Sequence, residues 1–230
     1  MKKLYVGFLA VVLAFSFTSC STNETDLEIP QESLLKKAQL KRDASGAYSI
    51  DYLVADNTVS DTRKDINSLS NEFHLSKVGY DTKDQYREDL TLNDNKLRIG
   101  FFDGETGKTT KFTIEDENIT FAKGKSTKFL KTYGLATNND GTIQLDFEVN
   151  DNVVVEFVYN EELAVHEVHL KKGTSTDKVF SRTLTIPDTK VLKLDFVNHK
   201  LFGKGTSEFL ERKPVVIIED GLDSSSASAS

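Results

Sequence analysis

Residues 142–149 read Thr-Ile-Gln-Leu-Asp-Phe-Glu-Val and alternate strictly between polar and apolar side chains. Because a β-strand turns successive side chains to opposite faces, this period of two predicts a strand with one face in a core and the other in water. The side chain of Asp146 is expected in solvent. The core face is expected to carry Ile143, Leu145, Phe147 and Val149.

Similar strand patterns extend along the chain on both sides of this segment. Runs of β-branched and aromatic residues are separated by short Asn- and Asp-rich turns, which tolerate left-handed backbone and favour chain reversal. Besides 142–149, strands are predicted at 48–54, 72–78, 89–92, 96–102, 111–114, 119–122, 153–159, 163–170, 179–186, 192–197 and 215–218. Hairpin turns between antiparallel strands are predicted at 93–95, 116–118, 150–152 and 160–162.

Two segments depart from the alternating pattern. Residues 153–159 are apolar on both faces, which predicts a strand at the centre of a sheet or beneath a helix. Residues 33–42 contain good helix formers with cations near their end, which predicts a short helix. The chain is therefore expected to be all-β: a single antiparallel meander that closes as a barrel or a two-layer sandwich, with a short N-terminal helix.

The amino-terminal residues differ in character from the rest of the chain. A basic start is followed by an uncharged apolar run at 4–17, which is shorter than the roughly twenty residues of a membrane-spanning helix. The run ends in Phe17-Thr18-Ser19-Cys20, and Cys20 is the only cysteine of the chain. This string resembles the lipobox of bacterial lipoproteins, in a form similar to Bacteroidota signals. The resemblance implies that residues 1–19 are a signal peptide and that Cys20 becomes a lipidated amino terminus.

The residues after Cys20 bear on location and domain organisation. Ser21 in this position resembles the sorting signal for the outer membrane, and the acids that follow resemble surface-export signals. The protein is therefore expected at the outer membrane, on the periplasmic side or at the cell surface, with the membrane contacted through the lipid on Cys20. Residues 20–32 are expected to form a flexible tether, 33–222 a single β-rich domain, and 223–230 a disordered Ser/Ala tail.

Charge and cysteine content exclude some classes of protein. The formal charge of −7 would become −9 after removal of residues 1–19, which contain two lysines and no acid. An acidic protein is a poor partner for a phosphate backbone, so nucleic acid is not expected as a ligand. Since Cys20 is the only cysteine, no disulfide can form within the domain, and stability must come from its core.

A possible phosphate-binding motif occurs at residues 104–109, which end in Gly-Lys-Thr. A phosphate loop needs a further glycine where this chain has Phe102, and a helix where residues 111–114 read as strand. A hairpin turn is therefore the favoured interpretation.

Histidines were considered as metal ligands. Residues 166–169 read His-Glu-Val-His, one residue short of the zinc-peptidase spacing, and in a strand His166 and His169 point to opposite faces. His74 and His199 each stand alone in the sequence. No metal site and no cofactor are predicted.

Loop and serine motifs are equally incomplete. Residues 138–141 lack the first and last oxygen ligands of an EF-hand, which favours a turn, although Asp140 and Asp151 could join a differently shaped calcium site. Ser207 lacks the second glycine of a nucleophile elbow, and Ser33 with Lys36 lacks the partner motif of penicillin-binding proteins. No catalytic residue is predicted.

These observations favour a lipid-anchored envelope protein whose β domain binds a ligand or partner without catalysis. The partner is an envelope protein, a glycan or a small ligand; a barrel would favour a small apolar molecule inside, a sandwich a protein or glycan at its loops or faces. The alternative is an envelope or extracellular glycan hydrolase whose site is assembled from residues distant in sequence.

Overall fold

Two β-sheets pack face to face in the computed structural model, which describes residues 32–116, 129–202 and 206–223, with the side chains of 32–116, 129–199 and 212–221. In spatial order the six-stranded sheet contains β12 (Val179–Thr185), β9 (Thr142–Val149), β8 (Leu130–Thr137), β1 (Leu35–Arg42), β2 (Tyr48–Val54) and β5 (Gln85–Leu90). The eight-stranded sheet contains β10 (Val153–Asn160), β11 (Val165–Lys172), β13 (Val191–Phe202), β14 (Thr206–Asp223), β7 (Lys108–Glu115), β6 (Lys96–Asp103), β4 (Ser70–Lys77) and β3 (Thr58–Asp65). All described strands belong to the compact unit Gln31–Ser230.

The core lies between the two sheets. The aromatic ring of Tyr52 in the six-stranded sheet lies 5.1 Å from the rings of Phe73 and Phe101 in the eight-stranded sheet. Farther along, Tyr133 and Phe147 contact Phe196 across the same layer, with ring centroids 5.3 Å and 5.6 Å apart. The all-β prediction is confirmed, and the described strands form a two-layer sandwich rather than a closed barrel.

Strand β9 has the two faces that its sequence predicts. The four apolar side chains of the alternating segment are at most 3% exposed, whereas Asp146 lies in solvent. Its bounds, and those of β2, coincide with the predicted strands.

The helix predicted over 33–42 is wrong, because this segment forms β1. Strand β1 pairs with β2 on one side and β8 on the other, and Ala38, Leu40 and Arg42 are buried at alternate positions. Helix propensities differ by only a few tenths of a kcal/mol per residue, and short isolated helices are marginal in water. Two hydrogen-bonded ladders and a buried face therefore outweigh the local preference.

The central position predicted for 153–159 is also wrong. Strand β10 is the edge of the eight-stranded sheet, and outward-facing Val154 and Val158 remain 38% and 37% exposed. An apolar run on both faces indicates a central strand only when a neighbour covers each side, and β10 pairs only with β11 among the described strands.

The predicted single antiparallel meander is wrong, because several connections cross between the two sheets and two strand pairs are parallel. Asp94, Asn95 and Asn152 do have the left-handed backbone that their turns predict, with φ of 49°, 64° and 61°. However, the turns at 93–95 and 150–152 carry the chain from one sheet to the other, and β11–β13 and β4–β6 pair in parallel. Of the predicted turns that the structure describes in full, only 160–162 joins a hairpin, β10–β11. The predicted strand 119–122 and most of the 116–118 turn lie outside the described residues.

Candidate functional site

Several sequence motifs prove to be turns. Residues 104–107 connect β6 and β7, and Asp103 Oδ1 accepts hydrogen bonds from the backbone N–H groups of Glu105 (3.0 Å) and Thr106 (2.9 Å). A Cβ on Gly104 would lie 2.7 Å from the carbonyl oxygen of Leu75, so glycine is needed for this close approach. The Gly-Lys-Thr string therefore has a structural role in a hairpin.

The two acids considered for a calcium site lie at opposite ends of β9. Asp140 is in the β8–β9 turn, where its Oδ1 accepts hydrogen bonds from the N–H and hydroxyl of Thr142, and the hydroxyl bond lowers its pKa. Asp151 follows β9 and pairs with Lys178. An eight-residue strand spans about 27 Å, so the two carboxylates cannot share an ion. Ser33 bonds Leu35 and Asp103, and Lys36 pairs with Glu32 instead.

His166 and His169 point to opposite faces of their strand, as predicted, whereas His199 has a histidine neighbour that the sequence did not indicate. His166 packs against the ring of Tyr159, with centroids 4.8 Å apart, while His169 lies on the opposite face of β11. His74 pairs with Glu72 (2.9 Å) and stacks on Phe102. His199 is not alone, because its Nε2 lies 2.7 Å from Nδ1 of His169. In the described part of the chain no three His, Cys, Asp or Glu side chains converge as a metal site.

An open depression lies on the outer face of the six-stranded sheet. It has a volume of about 750 Å³, and an adjoining depression of about 400 Å³ shares Gln39 and Arg87 with it. Small outward residues on β8, Thr132, Gly134 and Ala136, leave this space between the side chains of β9 and β1. We call it the β8 trough.

Strand geometry gives the dimensions of the β8 trough. The flanking strands β9 and β1 are two interstrand spacings apart, about 9.5 Å, and Thr132 to Ala136 spans about 13 Å. Each flank carries only polar side chains opposite the small residues. These are Gln144, Asp146 and Glu148 on β9, and Gln39 and Lys41 on β1.

Neighbouring strands hold the flanking side chains in place. On the β9 side, Gln144 Nε2 donates to Ser181 Oγ of β12, and that hydroxyl donates to Asp146 Oδ1, both at 2.5 Å. On the β1 side, Lys41 Nζ bonds Asp51 Oδ2 of β2 at 2.8 Å. Hydrogen-bonding groups therefore face the trough in fixed positions.

A buried polar cluster lies beneath one end of the trough. Arg42 Nε donates to Asp116 Oδ2 at 2.6 Å, and the hydroxyl of Tyr48 donates to the same oxygen at 2.8 Å. Tyr133 lies 3.1 Å from the Tyr48 oxygen, and burial raises the pKa of both tyrosines. The cluster joins the sheets and orients the strands under the trough. Sequence analysis missed it because its members are distant in the chain.

The position of Cys20 lies outside the described residues. No helix in the described ranges is long and apolar enough to cross a membrane. Comparison with known proteins found no matching protein-family model, no matching curated protein and no matching solved structure. The arrangement of side chains is therefore the basis for inferring function.

Proposed function

We propose that this chain is a lipid-anchored envelope protein whose sandwich domain binds a neutral glycan in the β8 trough. The anchor rests on the signal-like residues 1–19 and on Cys20, and it places the protein at the outer membrane. The binding function rests on the trough itself: among the described residues it is an open, concave surface between β9 and β1 whose two flanks carry polar side chains.

Charge balance in and beside the trough favours a ligand without net charge. Lys41 pairs with Asp51, and Lys131 pairs with Glu148 at 2.5 Å. Arg87 lies 3.5 Å from Asp51. Because each of these cations is already paired with a carboxylate, and Asp146 adds a carboxylate bonded to the Ser181 hydroxyl, an anionic ligand would have to displace one of these partners.

The chemistry of the flanks favours hydroxyl groups on the ligand. On the flanks, the amides of Gln39 and Gln144 both donate and accept hydrogen bonds, and Thr132 adds a hydroxyl on the floor. Val179 and Leu90 also border the depression, but the five flank side chains on β9 and β1 are polar, so a purely apolar ligand would leave their hydrogen-bonding groups without partners. A polyhydroxylated chain matches both the hydrogen-bonding groups and the width of about 9.5 Å.

Binding is favoured over hydrolysis by the environment of the trough acids. Asp146 is exposed and Glu148 is 31% exposed, whereas a general acid in a glycosidase requires a desolvated carboxyl group. Both carboxylates also have cross-strand partners, Ser181 and Lys131. They are therefore suited to hold sugar hydroxyls.

Filling the floor of the trough tests the proposal directly. A Cβ on Gly134 would lie 3.5 Å from the Leu40 oxygen and 3.8 Å from Lys41 Cγ, which are ordinary contacts. Gly134→Val should therefore fold and occupy the trough. Gly79→Val is the matched control, since a Cβ there meets nothing within 4 Å and Gly79 is remote from the trough.

Affinity electrophoresis of the purified full chain in detergent would use soluble starch, dextran, mannan and laminarin, with polygalacturonate as an anionic comparison. At least one neutral glycan should retard the parent and Gly79→Val equally, and retard Gly134→Val at least about tenfold less, equivalent to about 1.4 kcal/mol. Retardation by none of the four neutral glycans, or equal retardation of Gly134→Val, would contradict the proposal. Release of reducing sugar would instead support the hydrolase.

A further inference from the structure

The opposite face of the sandwich carries a second arrangement that the glycan proposal does not use. His169 on β11 and His199 on β13 meet on the outer face of the eight-stranded sheet, because these strands are parallel neighbours with Lys171 opposite His199. Their ring centroids are 4.9 Å apart, the ring planes are 27° from parallel, and the facing nitrogens are 2.7 Å apart. We propose that this pair binds a divalent transition-metal cation of the Zn²⁺ or Cu²⁺ type.

A carboxylate fixes the orientation of the first imidazole. Nε2 of His169 lies 2.7 Å from Glu167 Oε2, and since an ionised carboxylate only accepts hydrogen bonds, Nε2 carries the proton. The lone pair of His169 therefore resides on Nδ1, the nitrogen that faces His199. At many metal centres a histidine binds the cation through one ring nitrogen and donates a hydrogen bond to a carboxylate through the other, as His169 would do here.

Glu167 is itself held firmly. Asn160 donates to its Oε1 at 3.0 Å, and Arg212 bonds the same oxygen while also contacting Asp195 at 3.2 Å. These hydrogen bonds hold the carboxylate in the position that keeps His169 in the tautomer that can bind a metal.

The separation of the two imidazole nitrogens fits a metal after a small movement. Tetrahedral zinc with Zn–N bonds of about 2.05 Å places two nitrogens about 3.3 Å apart. The observed 2.7 Å corresponds to a hydrogen bond from Nε2–H of His199 to Nδ1 of His169. A metal would bind between these nitrogens once His199 carries its proton on Nδ1 instead, through exchange with water, and the rings separate by about 0.6 Å. The pair would provide two protein ligands, and water would complete the coordination.

The charges around the pair favour a cation. Among the described side chains nearby, the three carboxylates of Glu156, Glu167 and Asp195 outnumber the two cations, Lys171 and Arg212, with which they pair. The His169 side chain is 18% exposed, so an ion can enter from solvent. Imidazole nitrogen prefers Zn²⁺, Cu²⁺ or Ni²⁺ over the oxygen-seeking Mg²⁺ and Ca²⁺.

Zinc titration of the purified full chain against a chromophoric chelator tests this site. The informative variants are His169→Gln and His199→Gln. His74→Gln is the matched control, because His74 also pairs with a carboxylate two residues away, Glu72, but meets no second imidazole. Circular dichroism would establish that each variant is folded.

The parent and His74→Gln should bind Zn²⁺ with affinities within about twofold, while either site variant should lose at least about tenfold, as should Glu167→Gln. Excess Mg²⁺ should not compete, because Mg²⁺ prefers oxygen ligands. Equal zinc affinity in the parent and a folded His199→Gln variant would overturn the proposal. So would a loss in His74→Gln as large as that in the site variants.

Discussion

Arg42 and Asp116 connect the two sheets of the sandwich through an ion pair that is almost fully buried, with side chains 7% and 1% exposed and Nε 2.6 Å from Oδ2. Arg42 ends β1 in the six-stranded sheet, and Asp116 directly follows β7 in the eight-stranded sheet. The Tyr48 hydroxyl donates to the same carboxylate oxygen at 2.8 Å. The pair therefore fixes the relative position of the two sheets beneath one end of the β8 trough.

Removal of one member of this pair should be strongly destabilising. Asp116→Ala should cost about 3–5 kcal/mol of unfolding free energy, because it leaves the Arg42 guanidinium buried without its counter-charge. Urea denaturation measures this loss. The double variant Arg42→Met, Asp116→Leu should recover much of it, since both charges are then absent; a double variant less stable than Asp116→Ala would argue against an electrostatic origin.

The two faces of β9 give a second test. Phe147 is 3% exposed and contacts Phe157, Phe180 and Phe196, so Phe147→Ala should cost about 3–5 kcal/mol. Asp146→Ala, one residue away in solvent, should change stability by about 0.5 kcal/mol or less. Denaturant melts of the two variants distinguish the faces, and a reversed order of the two losses would contradict the assigned register.

The fold class and the register of β9 follow from the sequence because both depend on local alternation. The assignment of strands to sheets does not, since the turns at 93–95 and 150–152 look alike whether the chain stays in one sheet or crosses to the other. Strand β1 was not predicted because its residues favour a helix locally, and its hydrogen bonds are made to β2 and β8. Strands β3 and β8 were missed because β3 is charged and exposed and β8 contains Gly134.

The candidate sites could be predicted only in part for the same reason, because they also depend on which strands pair. The polar flank of β9 is visible in the alternating segment, but the β8 trough also needs the neighbouring small residues, which only strand pairing brings there. His169 and His199 are thirty residues apart and meet because β12, which lies between β11 and β13 in sequence, joins the other sheet. Local spacing contains no signal for such a contact.

Acid should destabilise the domain partly through two histidines. Burial lowers the pKa of both His166 and His199 from the ordinary value of 6.5, with Arg182 contributing at His166. The unfolded chain therefore binds protons first as the pH falls below 6.5, and this contribution to stability is present above that pH and lost below it.

Urea midpoints at pH 7.5 and pH 5.5 measure this acid sensitivity. His166→Gln should show a smaller decrease between the two pH values than the parent. An unchanged decrease in His166→Gln would exclude His166 as a contributor.

Membrane attachment should depend on Cys20. Cleavage before this residue would make it the new amino terminus, and two or more acyl chains there would provide stable anchoring where one gives only reversible binding. Cys20→Ala should therefore abolish incorporation of labelled palmitate and move the protein from the membrane fraction to the soluble fraction. Ser21→Ala is the matched control, because it changes a neighbouring small residue and keeps the thiol, so it should be labelled and sedimented like the parent. Continued labelling of Cys20→Ala would exclude this thiol as the lipidation site, whereas unlabelled protein that still sediments with membranes would point to an uncleaved apolar segment at 4–17 as the anchor.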